Sequence, residues 1–315
     1  MSAIDEPLAI RRKILGPTHP LTLESIYWLA NALHDGGNVA AAQPLFDEWM
    51  AAVSSHPPDI TPSRGEQLVR LGQMLLVRGR YAEAEPLIRQ GLAVRRAYFG
   101  PRHFAVGNAL HQLALAVRGQ RRMEESEQLL RESVAVLRVA YPDGHPDLGR
   151  AIRSLASTLT RMKRYDEALP LFQEAGAIFR RFLGDDHAYV ANVENEIGNV
   201  YRQQRAYEPA ETHLREAVRL LDTRFGHDNL MVIAAQVDLG DVLRSRGAFA
   251  QAEPLLLKGY TTFLTRRLHG TREDPKRLAL ESLVKLYDAQ GREADAAKYR
   301  LLLDAQRHAD AAPRR

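Results

Sequence analysis

The stretch Leu155-Ala156-Ser157-Thr158-Leu159, with Ala168 nine residues beyond it, contains the pattern on which the chain is built. A leucine or isoleucine equivalent to Leu155 returns at a spacing of 42 residues five times and then once at 44. We call these seven the register residues: Leu29, Leu71, Leu113, Leu155, Ile197, Leu239 and Leu283. Self-similarity at a period of about 20–50 residues is typical of repeat architectures.

Each repeat predicts a pair of antiparallel helices. The residue four positions after the register residue is apolar or aromatic throughout, which places the two on one buried helix face. The residue directly after the register residue is small in every repeat but the last, which has Val284, so that a second helix can approach closely. That second helix contributes a small residue thirteen positions after the register residue: Ala42, Ala84, Ser126, Ala168, Ala210, Ala252 and Ala296.

Two kinds of connection separate the predicted helices. The turn within a repeat is short and basic, as in Arg78-Gly79-Arg80, and the connector between repeats contains glycine and histidine, as in Gly184-Asp-Asp-His187. Glycine ends helices because it adopts the left-handed conformation at little cost. We expect the connector histidines to bond to backbone at the turn, since residues that recur at the repeat period do not converge on one ligand. They are His19, His103, His145, His187 and His227.

The composition fits a folded helical protein. Of 315 residues, 45% are hydrophobic and 26% are charged, and 43 Lys+Arg against 39 Asp+Glu leave a net charge of only +4. The absence of cysteine excludes disulfides and cysteine-ligated metal centres. The N-terminus lacks the layout of a secretory signal and no apolar run approaches ~18 residues, so we predict a cytoplasmic protein that does not span a membrane.

The full pattern resembles a known repeat. An aromatic or aliphatic residue follows the alanine by four positions, as Phe172 follows Ala168, and this arrangement resembles the tetratricopeptide repeat. The 42-residue period and the histidine connector resemble its kinesin-light-chain-like type, which bacterial proteins also carry. The resemblance implies an all-α fold, a right-handed superhelical solenoid of helix hairpins. Departures are Ser126 in place of alanine, Val284, Arg300 at an apolar position, and a degenerate connector at 55–62.

The repeats define the predicted domain organisation. We predict one domain over residues 1–307 and a flexible tail at 308–315. Residues 8–16 match residues 92–100, the end of a second helix, so the chain begins with a half-repeat at 2–16, either natural or cut from a longer protein. Seven full repeats follow at about 20–55, 62–100, 104–142, 146–184, 188–226, 230–269 and 274–307, and the last is predicted to be a terminal cap.

No motif predicts catalysis. The sequence contains no phosphate-binding Gly-x-x-x-x-Gly-Lys-Ser/Thr loop, no Gly-x-Gly-x-x-Gly, no His-Glu-x-x-His and no Gly-x-Ser-x-Gly. We therefore expect a non-enzymatic protein with no cofactor and no metal.

The resemblance also indicates a groove. It implies that the first helix of each hairpin lines the concave side, with positions −5, −2, +2 and +5 from the register residue facing inward. In the first two repeats these positions include Glu24, Tyr27 and Glu66, whereas repeats three to six have arginines and asparagines with one aspartate and no glutamate. The predicted peptide-binding residues are Asn108, His111, Arg118, Arg150, Arg153, Asn192, Asn195, Asn199, Arg202 and Arg244.

The chemistry of these side chains predicts the partner. Asparagine has both a donor and an acceptor for a peptide backbone, and arginine binds carboxylates with two parallel hydrogen bonds. We predict an interaction scaffold or adaptor, monomeric or weakly oligomeric, that binds an extended acidic peptide or partner segment. The alternatives are polar residues that only solvate the face, a regulatory or sensor module of a larger effector system (protease, nuclease or transcription regulator), and nucleic-acid binding through the basic turns at 78–80, 118–122, 161–164 and 244–246.

Overall fold

The computed structural model describes residues 5–35, 38–55, 62–265 and 275–311. Within these ranges the chain forms fifteen helices and no strand, which confirms the predicted all-α class. None of the helices in these ranges has the length and apolarity needed to cross a bilayer. The helices are α1 (Asp5–Leu15), α2 (Pro20–Asp35), α3 (Val39–Ser55), α4 (Pro62–Val77), α5 (Tyr81–Phe99), α6 (Phe104–Gly119), α7 (Met123–Ala140), α8 (Pro146–Arg161), α9 (Tyr165–Leu183), α10 (Ala188–Gln203), α11 (Tyr207–Phe225), α12 (Leu230–Ser245), α13 (Phe249–Thr265), α14 (Pro275–Ala289) and α15 (Glu293–Ala311).

The helices pair as hairpins in chain order. α2 packs on α3, α4 on α5, and so on to α14 on α15, and α1 precedes them and packs on α2. The chain divides into two compact units, which we call unit 1 (Met1–Pro142) and unit 2 (Asp143–Arg315). Most of the degenerate connector, 56–61, lies outside the described residues, as do 312–315 of the predicted tail. The rest of that tail continues α15, which ends at Ala311.

The register residues form the core of each hairpin. All seven are buried, with at most 6% of their surface exposed. The small residue beside them is required by a close helix approach: a Cβ on Gly198 would lie 2.6 Å from Cγ of Leu214, and one on Gly240 would lie 2.9 Å from Cδ2 of Leu256. The residue seventeen positions after the register residue therefore packs directly over the small one in these hairpins. The close helix approach predicted from the small residue is confirmed there, and the side chain that makes the contact is a finding of the structure.

Ser126 keeps the hairpin contact although alanine occupies this position in the other repeats. The side chain is fully buried, and its hydroxyl donates a 2.9 Å hydrogen bond to the carbonyl oxygen of Ala114 on the facing helix. A buried hydroxyl without a partner would destabilise the fold. The first helix supplies that partner, so the substitution is accommodated.

Arg300 shows how the last hairpin differs. An arginine replaces the apolar residue of the other repeats, and it lies exposed and pairs with Asp288. Tyr299 is buried in its place and stacks on Tyr287, with ring centroids 5.5 Å apart. α15 therefore packs through Ala296, Tyr299 and Leu303, which lie on one helix face, and leaves Arg300 to water.

Connector histidines start the following helices. Nδ1 of His19, His103, His145 and His187 accepts a hydrogen bond from the backbone N–H two residues later, at 3.1–3.3 Å. This bond satisfies one of the free N–H groups of the helix N-terminus. The expected bond between a connector histidine and the backbone is confirmed for these four histidines and is wrong for His227. Oδ1 of Asn229 accepts the equivalent bond from Met231 at 2.9 Å, because Asn229 and not His227 lies 42 residues after His187.

In the six hairpins from α4–α5 to α14–α15, whose turns the structure describes, the turn has one residue in the left-handed conformation. Glycine occupies this position at Gly79, Gly247 and Gly291, with φ of 66–80°. At the equivalent position three other hairpins have Arg121, Lys163 and Arg205, with φ of 61–67°. The left-handed conformation costs a residue with a Cβ about 1–2 kcal/mol. The backbone of these three turns is therefore strained.

We predict opposite effects of two substitutions in unit 2. Gly247→Ala lowers the free energy of unfolding by about 1 kcal/mol, because the new Cβ meets no atom within 4 Å and only the backbone conformation is penalised. Lys163→Gly at the equivalent position relieves that penalty and is neutral or stabilises by up to about 1 kcal/mol. Urea unfolding followed by circular dichroism measures both. A loss of stability in Lys163→Gly as large as that in Gly247→Ala would contradict the account.

Candidate polar binding face

Polar side chains link successive first helices in unit 2. Nη1 of Arg153 on α8 lies 3.7 Å from Oε1 of Glu196 on α10. On α10, Nδ2 of Asn195 and of Asn199 donate to the same oxygen of Asp238 on α12, at 3.2 Å and 2.9 Å. We call this surface the polar face, formed by Arg153, Asn195, Glu196, Asn199, Arg202, Asp238, Asp241, Arg244 and Ser282.

Asp241 joins the part of the polar face that α10, α12 and α14 form. It accepts from Arg202 on α10 at 3.1 Å, from Arg244 on its own helix at 2.7 Å, and from the Ser282 hydroxyl on α14 at 2.8 Å. Only 6% of its surface is exposed. Burial by itself raises the pKa of Asp241, but the positive charges of Arg244 and Arg202 and the Ser282 hydrogen bond outweigh it and hold the pKa below its ordinary value.

The polar face also contains buried polar atoms without a hydrogen-bond partner among the described residues. They are Nε of Arg153 on α8 and Oδ1 of Asn195 on α10. Leaving a buried donor or acceptor unsatisfied costs about 1–3 kcal/mol. One donor and one acceptor on consecutive first helices are therefore unsatisfied in the folded chain.

The structure brings together part of the predicted binding set. Arg153, Asn195, Asn199, Arg202 and Arg244 share the polar face of unit 2. Arg150, also in unit 2, pairs with Asp147 on its own helix. Asn192 is half-buried, and its side chain makes no hydrogen bond to the described residues. Asn108, His111 and Arg118 belong to unit 1, where His111 is buried and the other two are half-buried.

The predicted groove positions do not all face outward. Thr160, five positions after Leu155, is buried and donates to the carbonyl of Ala156 at 2.9 Å. Val237, two positions before Leu239, is buried against Gly259 of its own hairpin. Positions −2 and +5 lie beside the packed stripe of the helix, so whether they meet water depends on the neighbouring helix.

The positive excess predicted for the groove is largely neutralised within unit 2. Asp147, Glu196 and Asp238 were not among the predicted residues, yet they contact Arg150, Arg153 and the two asparagines. Glu196 and Asp238 both directly precede a register residue. That position was not among the predicted groove positions. The recurrence of acidic residues there, at the 42-residue spacing, could have indicated that it belongs to the polar face.

The basic turns are neutralised in a similar way. Arg80 pairs with Glu83 at 2.6 Å, and Arg164 pairs with Glu167 at 2.6 Å. Arg122 contacts Glu85 at 2.7 Å and also Glu125, and Arg246 contacts Glu208 at 3.2 Å and also Glu211. These guanidinium groups already have carboxylate partners in the folded protein.

A family model supports the assignment of the central repeats. The tetratricopeptide repeat model matches residues 67–138 and 147–223, a little under half of the chain. In these two ranges the chain carries tetratricopeptide repeats. No curated protein sequence is significantly similar to it.

Solved structures of helical repeats resemble this chain. The nearly identical TPR-like repeats assigned to a kinesin light chain of Podosopora anserina align with 21% identity and a TM-score of 0.55, over 64% of this chain and 95% of that one. BtubC (BKLC) from P. vanneervenii aligns with 17% identity and a TM-score of 0.58, over 87% and 97%. A Rap protein complexed with competence and sporulation factor aligns with 12% identity and a TM-score of 0.64, over 90% and 74%. At these identities the likeness shows the fold alone, an all-α fold of repeated helix hairpins.

We predict that Asp241→Asn destabilises unit 2 by about 3 kcal/mol at pH 7, because Arg202 and Arg244 then lose a buried counter-charge. The pKa of Asp241 is lowered in the folded protein, so its stabilisation is present above the ordinary aspartate pKa of about 3.9 and is lost as pH falls below it. The gap between wild type and variant should therefore narrow at pH 3 in urea unfolding curves. The exposed connector residue Asp185 provides the control Asp185→Asn, and an equal effect of both substitutions would refute the role of Asp241.

Proposed function

We propose that the chain is a non-enzymatic interaction scaffold that binds an extended peptide segment of a partner protein on the polar face of unit 2. The observation that carries the proposal is the pair of unsatisfied polar atoms on neighbouring first helices, Nε of Arg153 on α8 and Oδ1 of Asn195 on α10. The Asn195 amide is held at its other end by Asp238, which fixes the direction of its free oxygen.

An extended peptide has the matching groups. A backbone N–H group donates to Oδ1 of Asn195, and a backbone carbonyl accepts from Nε of Arg153. Recognition of this kind depends on the backbone and tolerates many side chains. Asn192, half-buried one helical turn before Asn195, adds a further amide to the same stretch of α10.

The preference for acidic segments comes from Arg150 and Arg153. Their side chains are 43% and 28% exposed, whereas those of Arg202 and Arg244 are 11% and 17% exposed and contact Asp241. A partner carboxylate reaches the first two and competes with Asp147 and Glu196 for them. Arg202 and Arg244 instead hold α10 and α12 in register beneath the ligand.

A regulatory role remains the second candidate. The Rap protein that shares this fold was solved with competence and sporulation factor, and the quorum sensor NprR from B. thuringiensis has the same fold with a TM-score of 0.60 at 12% identity. The names of these two proteins support a second proposal, in which this chain is the signal-responsive module of a larger system and the bound peptide segment is the signal. Nucleic-acid binding has less support, because Arg80, Arg122, Arg164 and Arg246 of the basic turns already pair with carboxylates.

We predict that Asn195→Ala combined with Arg153→Ala weakens peptide binding by about 1–3 kcal/mol, or roughly 5- to 150-fold, because hydrogen bonds to the buried atoms are lost. Peptides selected by phage display on the wild-type protein provide the ligands, and fluorescence anisotropy measures their affinity. Arg219→Ala, an exposed arginine paired with Glu216 on the second helix α11, is the matched control and should leave binding unchanged. Selected peptides that bind the double variant and the wild type equally would place the binding surface elsewhere.

A further inference from the structure

Unit 1 contains a pocket outside the polar face. It has a volume of about 230 Å³ and lies among α2, α3 and α4. The residues that matter for its chemistry are Glu24, Tyr27, Trp49, Glu66 and Arg70. Pockets that hold a whole small-molecule ligand measure about 300–1,000 Å³, so this one fits a single side chain with its adjoining backbone.

The indole of Trp49 indicates what the pocket lacks. Only 1% of the Trp49 surface is exposed, and its Nε1–H has no hydrogen-bond partner among the described residues. A buried indole N–H is a donor only and normally finds an acceptor. The occupant must therefore supply an acceptor, such as a carbonyl oxygen.

The charges of the pocket indicate the sign of the occupant. Arg70 pairs with Glu66 at 2.5 Å and lies over the rings of Tyr27 and Trp28, at 5.3 Å and 5.2 Å from their centroids. Glu24 is exposed and forms no ion pair with the residues that the structure describes. The negative charges of Glu24 and Glu66 therefore outnumber the positive charge of Arg70 by one. A ligand carboxylate would be repelled by both glutamates.

The aromatic rings favour a flat cation. Tyr27 and Trp49 lie 5.0 Å apart at an interplanar angle of 43°, and both line the pocket. Cations bind to the faces of such rings, and guanidinium groups also stack on them. Arg70, which itself lines the pocket, already lies over the rings of Tyr27 and Trp28, which shows that these rings accept a guanidinium.

We propose that this pocket binds an arginine side chain of a partner peptide, with the guanidinium between Glu24 and the aromatic rings and a peptide carbonyl accepting from Nε1 of Trp49. The proposal does not depend on the polar face of unit 2. It adds a second recognition point with the opposite charge preference.

The two tryptophans make the test specific. The chain contains two tryptophans, Trp28 and Trp49. Trp49 lines the pocket, and Trp28 lies against the pocket residue Arg70. The Trp49 indole N–H signal in a ¹⁵N-correlated NMR spectrum therefore reports on the pocket, and Trp28→Phe assigns the two signals. The probe is acetyl-Gly-Arg-Gly-amide, titrated into the full chain. We expect a saturable shift of the Trp49 indole signal. The citrulline analogue, which keeps the shape and removes the charge, should bind at least threefold more weakly.

Variants separate the roles of the groups. Glu24→Gln alters an exposed side chain and should weaken the arginine peptide about threefold to fivefold, since exposed ion pairs contribute up to about fivefold in affinity. Trp49→Phe keeps a ring and removes the donor, and should weaken binding by a similar or larger factor, measured by calorimetry. Asn195→Ala in unit 2 should have no effect, which keeps this test distinct from that of the polar face.

Three results would overturn the proposal. They are the absence of any indole shift at millimolar arginine peptide, equal affinity for the citrulline analogue, and tighter binding of acetyl-Gly-Glu-Gly-amide. Unchanged affinity in both Glu24→Gln and Trp49→Phe would also refute it, because the peptide would then bind at another site.

Discussion

The close approach of the two helices in each hairpin is the constraint on which the rest of the structure depends. A register residue is buried against the second helix, its small neighbour leaves room for a bulky side chain from that helix, and an alanine or serine completes the contact. Interiors of this density accept almost no change in volume. Because the same contact recurs in the first six hairpins, it fixes which side of each of their first helices is buried and which side is left for polar residues.

The polar face of unit 2 follows from that arrangement. Once α8, α10, α12 and α14 lie side by side, residues next to the buried stripe on one helix come within hydrogen-bond distance of the next. Asp238 and Asp241 use this proximity to join three helices. The interactions serve two purposes: they neutralise arginines that would otherwise repel one another, and they hold Asn195 so that one of its amide atoms remains unsatisfied.

Unit 1 is built from the same repeat as unit 2, but its candidate site has different side chains and a different charge. Its pocket combines positions from two first helices with Trp49 of a second helix, and its leftover charge is negative. Repeat proteins recognise partners through surfaces assembled from several repeats, so residues at equivalent positions in different repeats are free to differ. The two candidate sites therefore favour an acidic segment in unit 2 and an arginine in unit 1.

The sequence by itself determined the helices, their pairing and the buried positions, because these depend on local periodicity that repeats at 42 residues. It also indicated the helix-capping histidines, apart from His227, and the residue types on the first helices. The tertiary structure alone decided which of those residues meet. The pairing of Arg153 with Glu196, the burial of Thr160 and His111, and the convergence on Asp241 depend on distances of a few ångströms between neighbouring helices. Such distances arise from helix packing, which a one-dimensional pattern does not specify.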